Sequence, residues 1–427
     1  MNSYDSHECD ARGLGFKRLT PVHEALRTLL QHVSPRVGIE TLPVTAALGR
    51  IAAEDVASPV NIPPFDRAAM DGFAVRAEDT YSASTASPVT LRVVADQRIG
   101  EISEINVAKN EATSIVTGAQ LPQGANAVVM VEYTKRTSNT VDIYTETRPS
   151  ENVSRTGEDV SKGEITIRKG IRILPQDIGL LTSLGVQQIS VIRKPRIVVL
   201  STGNELCQEA NTIGKIADVN RPMLTAAVRD LGCEPIDLGI VGDDFEAIRT
   251  KLRDGIKTGD AVLVTAGTSV GPADIVPKVI DSISKPGMLV HGVAMRPSMP
   301  TGLAAIDGKA IVSLPGYPVS AYIAFIEFVR PLIAHLLGTR LLPSPTVRAR
   351  LSRRVVGILG SRTYVRVRVT AETTELIAEP VRTSGAGILS SLVHSNGFII
   401  VPEHVEGYEE GELVDVELFR AWEKAGS

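Results

Sequence analysis

The sequence predicts a multidomain α/β protein with a doubly wound parallel sheet and two smaller β-rich regions. Its 427 residues exceed what one hydrophobic core normally organises, which indicates about two to four domains. From residue 194, apolar strand-like runs alternate with helical patterns, the order that a doubly wound sheet requires. Short alternating segments punctuated by glycine and proline occupy 89–147 and the region after residue 345, and they predict β domains.

The N-terminal part begins with a polar segment and a short helix. Residues 1–15 lack the apolar stretch of a signal peptide and predict a flexible tail. The pattern at 21–30 predicts a helix, and the apolar runs at 89–94 and 127–131 predict short strands of a β-rich domain.

The doubly wound sheet is predicted from four strand-like runs and the helical patterns between them. The strands are predicted at 196–200, 234–241, 261–265 and 310–314, and the helices at 222–231, at 245–256 and from residue 319. A last module follows Pro343, with alternating strands at 363–370, 397–401 and 413–418, which a small β-barrel or sandwich would accommodate.

Composition restricts the class of protein. A formal net charge of -4 with 22% charged residues excludes the basic balance of a general nucleic-acid binder, and 43% hydrophobic residues suffice for folded cores. Cys9, Cys207 and Cys233 form no C-x-x-C pair, so neither a disulfide framework nor a zinc knot is indicated. The apolar run 319–337 contains Glu327 and Arg330, which favours a buried helix over a membrane span. We therefore expect a cytoplasmic protein with no membrane partner.

Small, polar or glycine-bearing loops follow the predicted sheet strands. These loops are 201–205, 242–244, 266–271 and 315–318. Ligands of open α/β sheets bind beyond the carboxyl ends of the strands, and glycines allow a ligand to approach backbone N–H groups. A helix N-terminus behind each loop favours anions, so this edge of the sheet is the expected binding site.

Six acidic residues lie in loops beside glycine or small residues, unlike the acidic residues of solvated helix faces. They are Asp66, Asp71, Asp159, Glu205, Asp243 and Asp274. Carboxylates gathered at strand ends are suited to Mg²⁺, which takes oxygen ligands and retains waters. The alternatives are solvated loop carboxylates and, for Asp243 or Asp244, a cap on the helix that begins near Phe245. The dispersed histidines disfavour a zinc hydrolase, and no G-x-S-x-G elbow indicates acyl-enzyme chemistry.

The segment 63–75, PPFDRAAMDGFAV, has two aspartates five positions apart around small residues, which neither a core strand nor an amphipathic helix requires. With VTGA at 116–119 and RTGED at 155–159, it resembles the molybdopterin molybdenumtransferase family, which includes MoeA and the gephyrin E-domain. Further matches in the same order are STGNEL at 201–206, the D-x-N-R residues Asp218, Asn220 and Arg221, and LPGYPVSA at 314–321 apart from Tyr317.

This resemblance implies an architecture and an activity. The implied domains are a linker domain at 16–57 and 149–190, an inserted β-rich domain at 58–148, a molybdopterin-binding α/β domain at 191–341 and a C-terminal β domain at 342–427. The implied reaction inserts molybdate or tungstate into adenylylated molybdopterin and releases AMP, with Mg²⁺ as cofactor. The implied assembly is a homodimer in which two chains share each active site.

The resemblance also implies roles for individual residues. Mg²⁺ would be held by Glu205, Asp243 and Asp274, and Arg296 would help to neutralise the oxyanion. The molybdate side would be lined by Asp66, Asp71, Thr117 and Asp159. The pterin nucleotide would contact Thr202, Gly203, Gly267, Ser269, Gly271, Pro315, Gly316 and Ser384.

Three segments depart from the family pattern. Ala266 replaces a glycine, the K-P-G-K-P segment reads RPSMP at 296–300, and a Q-G-S-G pattern reads SGAG at 384–387. These changes are compatible with a divergent molybdate enzyme, with one adapted to tungstate, or with a paralogue that binds or carries the cofactor without chemistry. The related adenylyltransferase shares only the sheet domain, so the Asp66 to Asp159 blocks argue against it.

Overall fold

The computed structural model describes residues 19–35, 37–210, 212–265, 275–340, 343–372, 375–382 and 385–424. The chain divides into two compact units, of which one is Thr41–Val191 and the other contains the rest of the described residues. The predicted linker range 16–57 therefore spans both units, because helix Val22–His32 packs with the second one through Val22, Ala25 and Leu29.

The unit Thr41–Val191 is built on a six-stranded sheet. In spatial order its strands are Ala127–Met130, Gly72–Val75, Glu111–Ile115, Val89–Gln97, Thr140–Ile143 and Thr134–Thr137. All pairs are antiparallel except Val89–Gln97 with Glu111–Ile115. Alternate residues such as Phe73, Val75 and Leu91 face one core, as the two-residue period of a strand requires. The strands predicted at 89–94 and 127–131 are confirmed.

Shorter elements complete this unit. Strands Ile39–Pro43, Gln188–Ile192 and Ile51–Ala52 form a three-stranded sheet, while Arg67–Ala68 pairs with Val153–Ser154 and Val56–Ala57 with Ile165–Ile167. The helices are Pro175–Ser183 and the 3₁₀ turns Val44–Ala46, Ala77–Thr80 and Val131–Tyr133.

The second unit contains a six-stranded α/β sheet. Its strands, in spatial order, are Glu234–Val241, Arg196–Thr202, Ala261–Thr265, Lys309–Leu314, Gly302–Ile306 and Pro286–His291. The first four are mutually parallel and confirm the predicted strands. Gly302–Ile306 runs antiparallel to both of its neighbours, Lys309–Leu314 and Pro286–His291, and these two further strands extend the predicted sheet on one side.

Helices cover both faces of this sheet. Ile197, Val199 and Val312 face helices Val22–His32 and Asn220–Asp230 together with the helical run 318–337. Their neighbours Val198, Leu200 and Val262 face helices Phe245–Thr258 and Val276–Ile283. Strands buried on both faces need apolar residues at successive positions, which explains the continuous apolar runs. Each fully buried aliphatic side chain contributes about 1.5–3 kcal/mol to this packing.

The run 318–337 consists of helix Pro318–Ala324, a five-residue π-helix Phe325–Val329 and helix Arg330–Leu337. Within the described part of the chain it is the one helical run whose length and composition would allow a membrane span, and 67% of its most apolar window is buried inside the protein. Phe328 and Leu332 lie in the core of the sheet unit, so the predicted buried helix is confirmed.

The C-terminal strands close into a five-stranded barrel. Around the barrel they are Arg362–Ala371, Leu376–Arg382, Thr346–Leu351, Leu413–Leu418 and Gly397–Val401, and the last strand pairs back with the first. Accessory pairs are Val355–Val356 with Gly407–Tyr408 and Glu423–Lys424 with 370–371, and a short helix spans Ser390–Val393. Closure pairs both edges of each of these five strands, so the described part of the barrel exposes no long strand edge. The predicted small barrel is confirmed.

A buried polar contact joins the barrel to the helical run. Glu327, in the π-helix, accepts hydrogen bonds from the Tyr364 hydroxyl and from Arg362 Nη1, the latter at 3.1 Å. Burial and the nearby carboxylate raise the pKa of Tyr364 well above its ordinary value. A half-buried carboxylate with two donors avoids the cost of an unpaired charge. The barrel therefore has a fixed attachment to the helical run 318–337 of the sheet domain.

Candidate functional site

The first strand-end loop has a floor of buried hydroxyl groups. Ser201 Oγ lies 3.0 Å from Thr265 Oγ1, and the Thr202 hydroxyl donates to the Thr265 carbonyl oxygen at 3.3 Å. All three residues are buried. The predicted ligand-binding residue Thr202 thus uses its hydroxyl to join two neighbouring strand ends, and it supports the loop above it.

Gly203 and Glu205 form the turn above this floor. The Gly203 N–H donates to the Val241 carbonyl oxygen at 3.0 Å, and its φ is +144°. A Cβ atom at Gly203 would lie 2.7 Å from both carboxylate oxygens of Glu205, which would have to move, and the φ of +144° is one that side-chain-bearing residues rarely adopt, so the position favours glycine. Glu205 itself is exposed, with its carboxylate lying over the loop.

Asn204 connects this loop to the next strand end. Its N–H donates to Asp243 Oδ2 at 3.0 Å, and the Asp243 N–H donates to Asn204 Oδ1 at 3.2 Å. Asp244, in contrast, caps helix Phe245–Thr258 by accepting from the Ala247 N–H at 2.8 Å. The capping alternative therefore applies to Asp244, and the Asp243 carboxylate lies beside the same loop as Glu205.

Lys215 adds a cation to this loop. Its ammonium donates to the Asn204 carbonyl oxygen. Because the N–H groups of Gly203 and Asn204 already have acceptors, an anion here would need this lysine or other donors. The expectation that these glycine loops present free N–H groups is not met at these two positions.

The loop after strand Lys309–Leu314 is held by Asn220. The Asn220 Nδ2 donates to the Gly316 carbonyl oxygen at 2.7 Å. Asn220 is only 6% exposed, and its Oδ1 has no hydrogen-bond partner among the described residues. Pro315 is buried in this loop, while Gly316 is exposed. A buried acceptor without a partner is costly, so this position is suited to a ligand donor or a water molecule.

Arg296 lies in a segment that contacts the barrel. Strand Met295–Arg296 pairs with residues 362–363 of the first barrel strand. The Arg296 side chain is exposed and makes no hydrogen bond or ion pair with any residue that the structure describes. Ser298, at the position of the family's glycine, has a φ of +104° and donates to the Ser320 carbonyl oxygen at 2.7 Å. That bond fixes the segment against helix Pro318–Ala324.

In the unit Thr41–Val191, two aspartates bind threonines that are distant in sequence. Asp66 Oδ1 accepts from the N–H of Thr156 at 2.7 Å and from its hydroxyl at 2.8 Å. Asp71 Oδ1 accepts the same two groups of Thr117, both at 2.7 Å. Both bonds lower the pKa of the Asp71 carboxyl, and the bond from the Thr117 N–H contributes more than the bond from its hydroxyl. Each aspartate uses one oxygen in this way, and both side chains are exposed.

The backbone brings the three sequence blocks of this unit together. The Leu121 N–H donates to the Asp66 carbonyl oxygen at 2.8 Å. The Ala69 N–H donates to the backbone carbonyl oxygen of Asn152 at 2.9 Å. A Cβ atom at Gly72 would lie 1.9 Å from the Val129 carbonyl oxygen, so strand packing demands glycine there. The Asp159 side chain is exposed, and its backbone N–H donates to the carbonyl oxygen of Ile62, just before the segment 63–75, at 3.0 Å.

Five residues predicted from sequence lie outside the described residues. They are Gly267, Ser269, Gly271, Asp274 and Ser384. Within the described ranges, no three or more His, Cys, Asp or Glu side chains form a group that could hold a metal ion by themselves. The proposed magnesium set of Glu205, Asp243 and Asp274 therefore stays a prediction.

Sequence reasoning missed several residues of this edge. Asn204 occupies the variable position of the STGNEL block, and Lys215 lies in an irregular loop, so neither had a pattern to reveal it. Asn220 was part of a family motif but received no role. The signal that identifies Asn220 is structural, since its burial and its unpartnered Oδ1 are visible only in three dimensions.

Parallel strands that end in glycine loops with carboxylates, together with an attached barrel, define a multidomain α/β protein, a class in which ligands bind at the carboxyl ends of the strands. Family comparison identifies the MoeA N-terminal region (domain I and II) at 20–185, a probable molybdopterin binding domain at 198–335 and the MoeA C-terminal region (domain IV) at 348–419. These matches cover most of the chain.

Relatives match over nearly their full lengths. A putative molybdopterin biosynthesis protein of Methanocaldococcus jannaschii is 36% identical over 95% of this chain and 99% of its own. The molybdopterin molybdenumtransferase of Bacillus subtilis is 33% identical over 94% of each chain. The crystal structure of a molybdopterin biosynthesis MoeA protein of Pyrococcus horikoshii OT3 has a TM-score of 0.81 at 34% identity, over 94% of this chain and all of that one. The chain belongs to the MoeA family.

Proposed function

We propose that this protein is a molybdopterin molybdenumtransferase of molybdenum cofactor biosynthesis. It inserts molybdate, or tungstate, into adenylylated molybdopterin with release of AMP. The observation that carries the proposal is the near full-length match to relatives named for this activity, together with the strand-end loops around Gly203 and Gly316. A match confined to the sheet domain would not distinguish the transferase from the related adenylyltransferase.

The carboxyl edge of the sheet is the proposed site of the pterin nucleotide. Asn220 holds the Gly316 loop in place, and its Oδ1, which has no partner among the described residues, is available to a ligand donor. Lys215 supplies positive charge beside Asn204, which favours a diphosphate. The buried hydroxyls of Ser201 and Thr202 keep the floor of the site rigid.

Glu205 and Asp243 fit a Mg²⁺ site with Asp274 as the proposed third ligand. Both described carboxylates are exposed and flank the same turn, which suits a hard cation that takes oxygen ligands and keeps several waters. When bound there, Mg²⁺ would neutralise phosphate charge as the phosphoanhydride is cleaved.

Arg296 is the proposed oxyanion cation. Its guanidinium has no partner among the described residues, and a guanidinium fork can bind two oxygens of a tetrahedral oxyanion. Asp66, Asp71, Thr117 and Asp159 are proposed to line the molybdate side. Each aspartate that binds a threonine still has its second oxygen available.

We further propose a homodimer in which these last four residues come from a second copy of the chain. The test is complementation between an Asp71→Ala chain and a Glu205→Gln chain, each inactive alone. Mixed dimers should recover part of the activity, because one of their two sites is intact. If subunit exchange is verified and activity stays absent, the shared-site assembly is wrong.

The activity is tested by adding molybdate to the protein and adenylylated molybdopterin under anaerobic conditions. Stoichiometric AMP release that depends on the oxyanion supports the transferase, and a parallel assay with tungstate determines oxyanion preference. Formation of adenylylated molybdopterin from ATP would instead indicate the adenylyltransferase. Tight pterin binding without AMP release would indicate a carrier.

The carrier is the second candidate because of one residue. Met299 stands where the family has a second cation, and it is partly buried, with its carbonyl oxygen accepting from the Val293 N–H at 2.8 Å. A loop with one cation fewer binds an oxyanion less strongly. Retention of Glu205, Asp243 and Arg296 in one chain favours the enzyme.

A further inference from the structure

Tyr317 is an exposed aromatic residue inside the strand-end loop 315–318. Its side chain is 65% exposed, between the buried residues Pro315 and Pro318. The family motif matches this chain on both sides of Tyr317 but not at the residue itself. A single exposed tyrosine needs no explanation on an ordinary surface. Here it occupies the loop that carries the proposed ligand site.

The local fold does not account for a tyrosine at this position. Tyr317 is the N-cap of helix Pro318–Ala324, a position that favours serine, threonine, aspartate or asparagine. It makes no side-chain capping bond, and its side chain lies outside the hydrophobic cores. Asparagine or serine would serve the helix better, so the aromatic ring has no structural task that the described residues reveal.

The backbone on either side of Tyr317 is nevertheless held in place. Asn220 fixes the preceding carbonyl oxygen of Gly316 at 2.7 Å, and the Val319 N–H donates to the Ala386 carbonyl oxygen at 3.1 Å. Gly387 lies next to one edge of the ring, where a Cβ atom would come within 3.2 Å of Tyr317 Cδ1 and 3.5 Å of Cε1. The absence of a side chain at Gly387 therefore leaves room for the ring, which stays 65% exposed.

We propose that the Tyr317 ring is a stacking platform for a planar nitrogen heterocycle of the substrate. The inference rests on the proposed function, in which the substrate contains two such groups, the pterin and the adenine. An aromatic ring on a loop whose backbone is anchored on both sides loses less conformational freedom on stacking than one on an unanchored loop. Tyr317 would thus increase substrate affinity and orientation without taking part in bond breaking.

The test is equilibrium binding of AMP and, separately, of molybdopterin to the full-length protein under anaerobic conditions. Tyr317→Phe should bind like the wild type, because the ring is kept. Tyr317→Asn, which introduces a capping residue, and Tyr317→Ala should each weaken binding of one of the two probes by about ten-fold or more. The probe that weakens identifies the stacked heterocycle. Tyr81→Ala, at another exposed tyrosine, is the control and should leave both affinities unchanged.

Unchanged affinity for both probes in Tyr317→Asn and Tyr317→Ala would overturn the proposal. Equal losses in Tyr317→Phe and Tyr317→Ala would also overturn it, because the hydroxyl and not the ring would then bind the ligand. Asparagine is included because it can cap helix Pro318–Ala324, so this variant should keep its fold. The unfolding midpoints of all variants are compared with that of the wild type to verify that they remain folded. A wild type that binds the probes but releases no AMP would contradict the transferase while leaving the stacking role intact.

Discussion

The two units use loop aspartates and glutamates in opposite ways. In Thr41–Val191, Asp66 and Asp71 each accept two hydrogen bonds from a threonine that lies 90 or 46 residues away. At the sheet edge, Glu205 lies over Gly203, and Asp243 accepts one bond from the adjoining loop. Asp66 and Asp71 thus join distant segments of the chain. Glu205 and Asp243 leave more of their carboxylate oxygens accessible to a ligand.

This difference shows that a carboxylate in a family motif can have a structural task as well as a chemical one. Removing Asp66 or Asp71 should loosen the loops that present Thr156 and Thr117. Removing the charge of Glu205 should affect only the binding of Mg²⁺ and substrate at the carboxyl ends of the parallel strands. Stability measurements should therefore separate the two regions, while both are expected to affect activity.

The largest expected effect is the loss of activity in Glu205→Gln. If Glu205 acts in electrostatic stabilisation at the sheet edge, its neutralisation should reduce AMP release by about 10²-fold or more, with an unchanged unfolding midpoint. Glu209→Gln, at an exposed neighbour, is the matched control and should keep its activity. An unfolded Glu205→Gln protein would assign Glu205 to the fold and remove the contrast between the units.

Asp66→Ala should reduce stability in addition to any effect on activity. Its two hydrogen bonds to Thr156 would be lost, which should lower the free energy of unfolding of its unit by about 1–3 kcal/mol in urea titrations. Asp159→Ala is the control, because the Asp159 side chain makes no bond with any described residue, and its change should stay within about 0.5 kcal/mol. Equal stability of the two variants would mean that the Asp66–Thr156 bonds contribute nothing.

Arg296→Ala should weaken oxyanion affinity by about ten-fold or more, because a charge-assisted bond typically contributes about 1.5–3 kcal/mol. The half-saturating molybdate or tungstate concentration for AMP release measures this effect, while pterin affinity should change much less. Met299→Lys should tighten oxyanion binding if Met299 faces the site. An unchanged half-saturation in Arg296→Ala would contradict the oxyanion role.

The smallest expected effect is the acid sensitivity of the Asp71–Thr117 contact. Because the folded pKa of Asp71 lies below its ordinary value of 3.8, the charged carboxylate stabilises the fold above that pH. Wild type should be more stable than Asp71→Asn near neutrality, and the difference should shrink as the pH falls below 3.8 through the lowered pKa. Unfolding titrations across this range test it. A difference that is constant with pH would show that the charge of Asp71 is irrelevant.

Much of the fold could be predicted from sequence because buried strands have continuous apolar runs. Strands Glu234–Val241, Ala261–Thr265 and Gly397–Val401 have the predicted boundaries. Strands Pro286–His291 and Gly302–Ile306 were missed, since glycines and prolines interrupt that region and resemble turn signals.

The site was predictable as a set of loops but not as a set of contacts. Glycine-bearing strand ends identified the sheet edge. The pairing of Asp66 with Thr156, and of Asn204 with Asp243, depends on segments that only the fold brings together. A single sequence contains no signal for such distant pairs, because each partner is an ordinary loop residue by itself.

Calorimetric titration of Mg²⁺ into the wild type, Glu205→Gln and Asp66→Asn tests the contrast between the two units most directly. Asparagine can still accept both bonds from Thr156, so the loop around Asp66 should persist. The account predicts that Mg²⁺ binding is lost or strongly weakened in Glu205→Gln and retained in Asp66→Asn. Retained binding in Glu205→Gln together with lost binding in Asp66→Asn would contradict it, and would move the metal site to the other unit.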